Sequence, residues 1–147
     1  MRAVIFPCIL LLSAGCFFGD RAPERRAVLV SLSPSEGHGD VGFSSGAPEI
    51  QEALTIVDVE LLPKGYVRDE KAEGAQGAIA SYARRASAGE RLLGGPTLYL
   101  RDGYLVIGFS AGGGMGSRIG PETERIVESL RDALSRRYGS DRVKIEH

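Results

Sequence analysis

Hydrophobic positions along the chain change period several times, and each change marks an element. Ala27 to Leu32 (AVLVSL) is a β-rich run and the first predicted strand. Ser33 to Ala47 mixes serines with Pro34, Gly37, Gly39, Gly42 and Gly46, which is loop composition. From Pro48 to Leu62, Ile50, Leu54, Val57 and Leu61 recur at helical spacing, with Pro48 suited to the first turn. Val57, Val59 and Leu61 also alternate with Asp58 and Glu60 as in a strand. Fifteen residues without a turn signal favour the helix, and Pro63 stops it. A short strand is expected at Tyr66 to Arg68 after Gly65.

Glu70 to Pro96 is the least legible stretch. Ala78, Ile79, Tyr82, Ala83 and Ala86 fit one side of a short helix, but that side is mostly methyl groups. Next, Thr97 to Arg101 and Tyr104 to Ser110 flank Asp102-Gly103, the dipeptide suited to a two-residue type I′ hairpin. That turn pairs Arg101 with Tyr104 and fixes the register. Leu98, Leu100, Leu105, Ile107 and Phe109 then share one face, and Thr97, Tyr99, Arg101, Tyr104, Val106 and Ser110 the other. After the glycine-rich run Ala111 to Gly120, Pro121 opens a helix with Glu122 and Glu124 at its start and Arg136 and Arg137 near its end. Its predicted stripe is Ile126, Val127, Leu130, Ala133, Leu134 and Tyr138, and Gly139 ends it. Asp141 to Glu146 closes the chain as a strand with Val143 and Ile145 facing in.

This order predicts an α+β two-layer sandwich over residues 27–147. Two helices lie on one face of a mainly antiparallel sheet, roughly a ferredoxin-like plan with one extra strand. Such a fold hosts many functions and decides none.

Composition narrows the class. The chain of 147 residues is enough for one domain, and 43% hydrophobic with 25% charged residues is globular composition. Eighteen Lys+Arg against 19 Asp+Glu leave a net charge of -1, without the basic footprint expected of a nucleic-acid binder.

The N-terminus carries a different signal. Arg2 is followed by the apolar run Ala3 to Leu12, then Ser13, Ala14, Gly15 and Cys16. The ten-residue run makes about 15 Å of helix, half of a hydrocarbon core, and the layout is that of a secretory signal peptide over residues 1–15. Leu12-Ser13-Ala14-Gly15-Cys16 resembles the lipobox of bacterial lipoproteins, with Ser13 at the position three before the cysteine, where the usual Leu would stand. The resemblance implies cleavage before Cys16, a diacylglyceryl group on its thiol and membrane attachment through that lipid. Cys8 would leave with the signal peptide, so Cys16 would be the one remaining thiol, and residues 16–26 would form a tether. Phe17 stands where inner-membrane members commonly carry Asp, so the resemblance implies the outer membrane in a Gram-negative host.

Gly108-Phe109-Ser110-Ala111-Gly112 fits G-x-S-x-G, and IGFSAGG resembles the nucleophile elbow of α/β-hydrolases. In that family flanking glycines expose the serine beside backbone amides that hold an oxyanion. Here Ser110 ends the second arm of a hairpin, glycines rather than a helix follow it, and the one later histidine is the last residue, His147. The expectation is therefore no catalytic residue, with Ser110 as the alternative nucleophile.

No cofactor or metal is expected. Gly112 to Gly120 matches neither G-x-G-x-x-G nor the Walker pattern, and His38-Gly39-Asp40 lacks further ligands. Tyr99, Arg101 and Tyr104 on the outer hairpin face are residue types favoured at interaction surfaces, although tyrosines also stabilise hairpins simply by pairing across strands. The function expected is a non-catalytic binding or accessory role toward another envelope protein; a purely structural envelope lipoprotein is a further alternative.

Overall fold

Asp102 and Gly103 organise the sheet. Both take positive φ, 51° and 80°, as a type I′ turn requires, and Arg101 pairs with Tyr104 as the sequence predicts. The computed structural model describes residues 24–33, 46–70, 77–85, 92–111 and 118–147. Its elements are β1 (Arg25–Ser31), α1 (Pro48–Leu61) with a following 3-10 turn (Leu62–Lys64), β2 (Tyr66–Arg68), β3 (Ala78–Arg85), β4 (Leu92–Arg101), β5 (Tyr104–Ser110), α2 (Pro121–Tyr138) and β6 (Val143–Glu146). The six strands form one sheet in the order β2-β3-β4-β5-β1-β6, and every neighbouring pair is antiparallel.

Both helices pack on one face of this sheet, so the chain is an α+β sandwich. Ile50, Ala53, Leu54, Val57 and Leu61 of α1 and Ile126, Val127, Leu130 and Leu134 of α2 are buried against Val28, Val30, Leu98, Leu105, Ile107 and Phe109. Leu100 packs at the margin of the same core. The expected hairpin faces and helix stripes are thus found, except that Ala133 and Tyr138 are only half-buried. Without β2 and β3 the chain reads β-α-β-β-α-β, the ferredoxin-like sequence of elements.

Two strands, not one, extend that plan. The second is β3, formed by the segment that resembled a short helix. Its Ala80 and Tyr82 are buried on the helix side, and Arg84 on that side reaches Glu122 of α2 at 2.7 Å. Pairing on both sides, to β2 and β4, outweighs the modest helical preference of its alanines. Register shifts interrupt the β3–β4 ladder between Ala78 and Ala80 and again between Ser81 and Ala83, and Gly95 lies beneath the second shift. A Cβ on Gly95 would lie 2.3 Å from the Tyr82 carbonyl oxygen, so only glycine allows this approach.

The first strand also begins earlier than its apolar run. Arg25 pairs with Ser110 and Arg26 with Phe109, so the ladder takes in two residues expected in the tether. Arg26 is held there by Glu24 at 2.7 Å and by Glu124 of α2 at 3.2 Å. Charge replaces hydrophobicity as the force that keeps this end of β1 on the sheet.

Polar locks join the layers. Tyr82 Oη donates to Asp58 Oδ1 at 2.6 Å, and Arg68 donates to both oxygens of the same carboxylate. Ser129 Oγ of α2 donates to Glu60 Oε2 of α1 at 2.6 Å, and Lys64 Nζ donates to the same oxygen at 3.1 Å. The Ser129 hydrogen bond, seconded by Lys64, holds the Glu60 carboxyl below its ordinary value of 4.5. In the window below that value the unfolded chain binds more protons than the folded one, so stability falls as pH falls through the lowered pKa. Acid titration of Glu60→Gln should therefore show a shallower loss of stability below pH 4.5 than the wild type; identical acid limbs would mean that Glu60 is not a contributor.

Candidate functional site

The face of the sheet away from the helices carries the candidate site. Alternation along β4 and β5 puts Thr97, Tyr99, Arg101, Tyr104, Val106 and Ser110 there, as the hairpin register predicts. β1 adds Arg25, Ala27 and Leu29 through the pairs Arg25–Ser110, Ala27–Gly108 and Leu29–Val106. β6 adds Lys144 opposite Leu29 and Glu146 opposite Ala27.

Near the turn this face is self-contained. Ala27, Leu29 and Val106 form a small buried cluster, with Tyr99 and Tyr104 packed against it. Val106 is fully buried although, among the described residues, no helix covers it. Lys144 Nζ lies 5.2 Å from the centre of the Tyr104 ring and donates to its hydroxyl at 3.3 Å.

Arg101 crosses the face. Its guanidinium donates to Glu146 Oε2 at 2.7 Å, although β4 and β6 are separated by β5 and β1. Three inter-strand spacings amount to about 14 Å in a flat sheet. The pair forms because twist and coil bring opposite corners of the face together. Glu146 in turn holds the Arg101 guanidinium above its already high pKa.

Beyond this tie the face opens into a groove of about 700 Å³. Ala27, Ala78, Gly95 and Gly108 are its small residues; Thr97, Tyr99 and Arg101 line it from β4, Arg25 and Ser110 from the far end. Gly108 carries no side chain where the Tyr99 ring passes: a Cβ there would sit 3.5 Å from Tyr99 Cε1. The first glycine of the G-x-S-x-G pattern thus faces an aromatic ring across a strand pair. A volume of this order accommodates a drug-sized molecule or a few residues of extended peptide.

The structure therefore brings Tyr99, Arg101 and Tyr104 to one face, as expected, and shows two of them engaged. Arg101 is held by Glu146 and Tyr104 by Lys144, whereas Tyr99 forms a wall of the groove. Ser110 is the exposed last residue of β5, laddered to Arg25 on the second arm of the hairpin. His147 lines the same groove, and no hydrogen bond joins it to Ser110. Cys16 and His38 lie outside the described residues, as do residues 112–117 of the glycine-rich run. Among the described residues, no group of three or more His, Cys, Asp or Glu side chains is placed to hold a metal ion. Among the same residues, no helix is long and apolar enough to cross a membrane.

Arg25, Lys144 and Glu146 are site residues that the hydrophobic pattern does not single out. Period-two alternation extended back from Leu29 and Ala27 places Arg25 on their face, and that is the signal which could have found it. Compared with protein-family models, with curated proteins and with solved structures, the chain has no match.

Proposed function

We propose that this chain is a lipid-anchored bacterial envelope protein whose domain binds another envelope protein through the helix-free face of its sheet, without catalysis of its own. The observation that carries the binding reading is the groove on the face that, among the described residues, no helix covers. Both helices lie on one side, and the other side holds a groove of about 700 Å³ floored by small residues and walled by Tyr99 and Thr97.

The anchor reading rests on the lipobox-like Leu12 to Cys16. Cleavage before Cys16 and lipidation of its thiol would leave eight residues of chain between the lipid and Glu24, a reach of at most about 28 Å. The groove opens beside Arg25, at the end of the sheet where the tether enters. Its partner would accordingly be met close to the membrane surface, on the periplasmic side of the outer membrane in a Gram-negative host. No cofactor takes part in this reading.

One observation favours a second reading, a serine hydrolase acting through Ser110: Ser110 and His147 line the same groove. A fluorophosphonate probe separates the two. Binding without catalysis predicts no labelling of the folded protein. Labelling that disappears in Ser110→Ala would make Ser110 a nucleophile and replace the proposal.

A further inference from the structure

The charges on the helix-free face are nearly all spoken for. Arg101 is paired with Glu146 at 2.7 Å, and Lys144 lies over the Tyr104 ring. Arg26, on the helix side of the same strand, is held by Glu24 and Glu124. Arg25 differs. Among the described residues it has no carboxylate partner; it is exposed, and it stands directly opposite Ser110 at the end of the groove.

One guanidinium without a carboxylate among the described residues, beside a hydroxyl at the mouth of a groove with a small-residue floor and an aromatic wall, defines a complementary shape. A carboxylate matches it in charge, because it is a monoanion, and in geometry, because it accepts two parallel N–H donors from one guanidinium. A dianionic phosphate would leave one charge unmet here. The apolar floor at Ala27, beside the Tyr99 ring that covers Gly108, suits an aliphatic neighbour of that carboxylate.

We infer that the partner segment seated in this groove is acidic, placing a single carboxylate on Arg25 with an apolar side chain beside it over Ala27 and against Tyr99. The inference rests on the binding reading and specifies the chemistry of the partner. Arg25 thereby acts as the selectivity residue of the site, while the Arg101–Glu146 pair closes the other end.

The test is an NMR titration of the full chain, purified in neutral detergent, with acetyl-Leu-Asp-Leu-amide and its neutral counterpart acetyl-Leu-Asn-Leu-amide. The amide signals of Thr97, Gly108 and Ser110 should shift saturably with the acidic peptide. It should bind about two- to fivefold more tightly than the neutral one, as expected of an exposed ion pair. Arg25→Gln should abolish that preference, and Arg25→Glu should transfer it to acetyl-Leu-Lys-Leu-amide. Because Arg25 is exposed, neither variant should disturb folding, which the remaining amide spectrum reports directly. Equal binding of the acidic and neutral peptides overturns the inference and leaves the binding reading standing. Absence of groove shifts with either peptide also overturns it. Shifts that follow protein concentration alone, or appear only with vesicles containing phosphatidylglycerol, would assign the face to a second copy or to the membrane, and likewise overturn it.

Discussion

Replacing Tyr82 with alanine should destabilise the domain by about 3–5 kcal/mol, the usual cost of removing a large buried aromatic ring. Tyr82 is 1% exposed and, among the described residues, ranks first by size of the fully buried side chains. Its ring fills the space between β3 and α1, and its hydroxyl donates to Asp58 at 2.6 Å. Burial and the Asp58 hydrogen bond together push its phenol well above the ordinary value of 10.0, so the hydroxyl stays a donor throughout the neutral range. Domains of this kind have about 5–15 kcal/mol in total, so the alanine variant should approach the edge of folding. Tyr82→Phe retains the ring, and Arg68 still satisfies Asp58 from the other side; about 1 kcal/mol is expected from the lost hydrogen bond. Urea denaturation of the two variants measures both. An alanine variant within 1 kcal/mol of the wild type, on the scale of that single hydrogen bond, would show that β3 is not clamped to α1 as described.

The second large effect belongs to the N-terminus. Cys16→Ser should move the protein from the membrane fraction to the soluble fraction. Two or three acyl chains, at about 0.8 kcal/mol for each buried methylene, give stable attachment, and serine provides no thiol to receive them. The unprocessed leader would then remain, but its ten apolar residues make only about 15 Å of helix, half of what spanning requires. Fractionation and the intact mass of the purified protein check this together. The wild type should begin at Cys16 and carry the mass of its acyl chains, and the variant should carry none. Tight membrane association of Cys16→Ser, or an unmodified Cys16 in the mature wild type, would contradict the anchor.

The parts of the fold that are legible in the sequence are those encoded by local chemistry. Asp102-Gly103 supplies two residues tolerant of positive φ, and from that turn the register and both faces of the hairpin follow. Ile50, Leu54, Val57 and Leu61 mark α1, and Ile126, Val127, Leu130 and Leu134 mark α2, because helical spacing and burial coincide there. β3 is hidden for the opposite reason. Its alanines satisfy a helix as readily as a strand, and only the neighbours β2 and β4, with the close approach at Gly95, decide between them.

The candidate site divides in the same way. Tyr99, Arg101 and Tyr104 are placed on one face by the hairpin alone. The Arg101–Glu146 tie is not, because it joins strands 45 residues apart across a coiled sheet, and no periodicity records the coil. Arg25 is missed because an arginine ahead of an apolar run reads as a solvated flank. It becomes a site residue once the ladder sets it opposite Ser110, on the same face as Ala27 and Leu29. Gly108 reads in the sequence only through the G-x-S-x-G pattern, and its place beside the Tyr99 ring emerges from the strand pairing.

In-cell photocrosslinking compares the two sides of the sandwich in a single experiment. A photoreactive phenylalanine analogue placed at Ser110 reports from the mouth of the groove, and one at Val59 reports from the outer surface of α1, where that side chain is 66% exposed. Both positions are exposed, so either replacement should leave the fold intact. Binding through the helix-free face predicts a discrete crosslinked envelope partner from Ser110 and none from Val59. A partner captured from Val59 alone, or no adduct from Ser110 in a protein shown to be folded and membrane-attached, would contradict it.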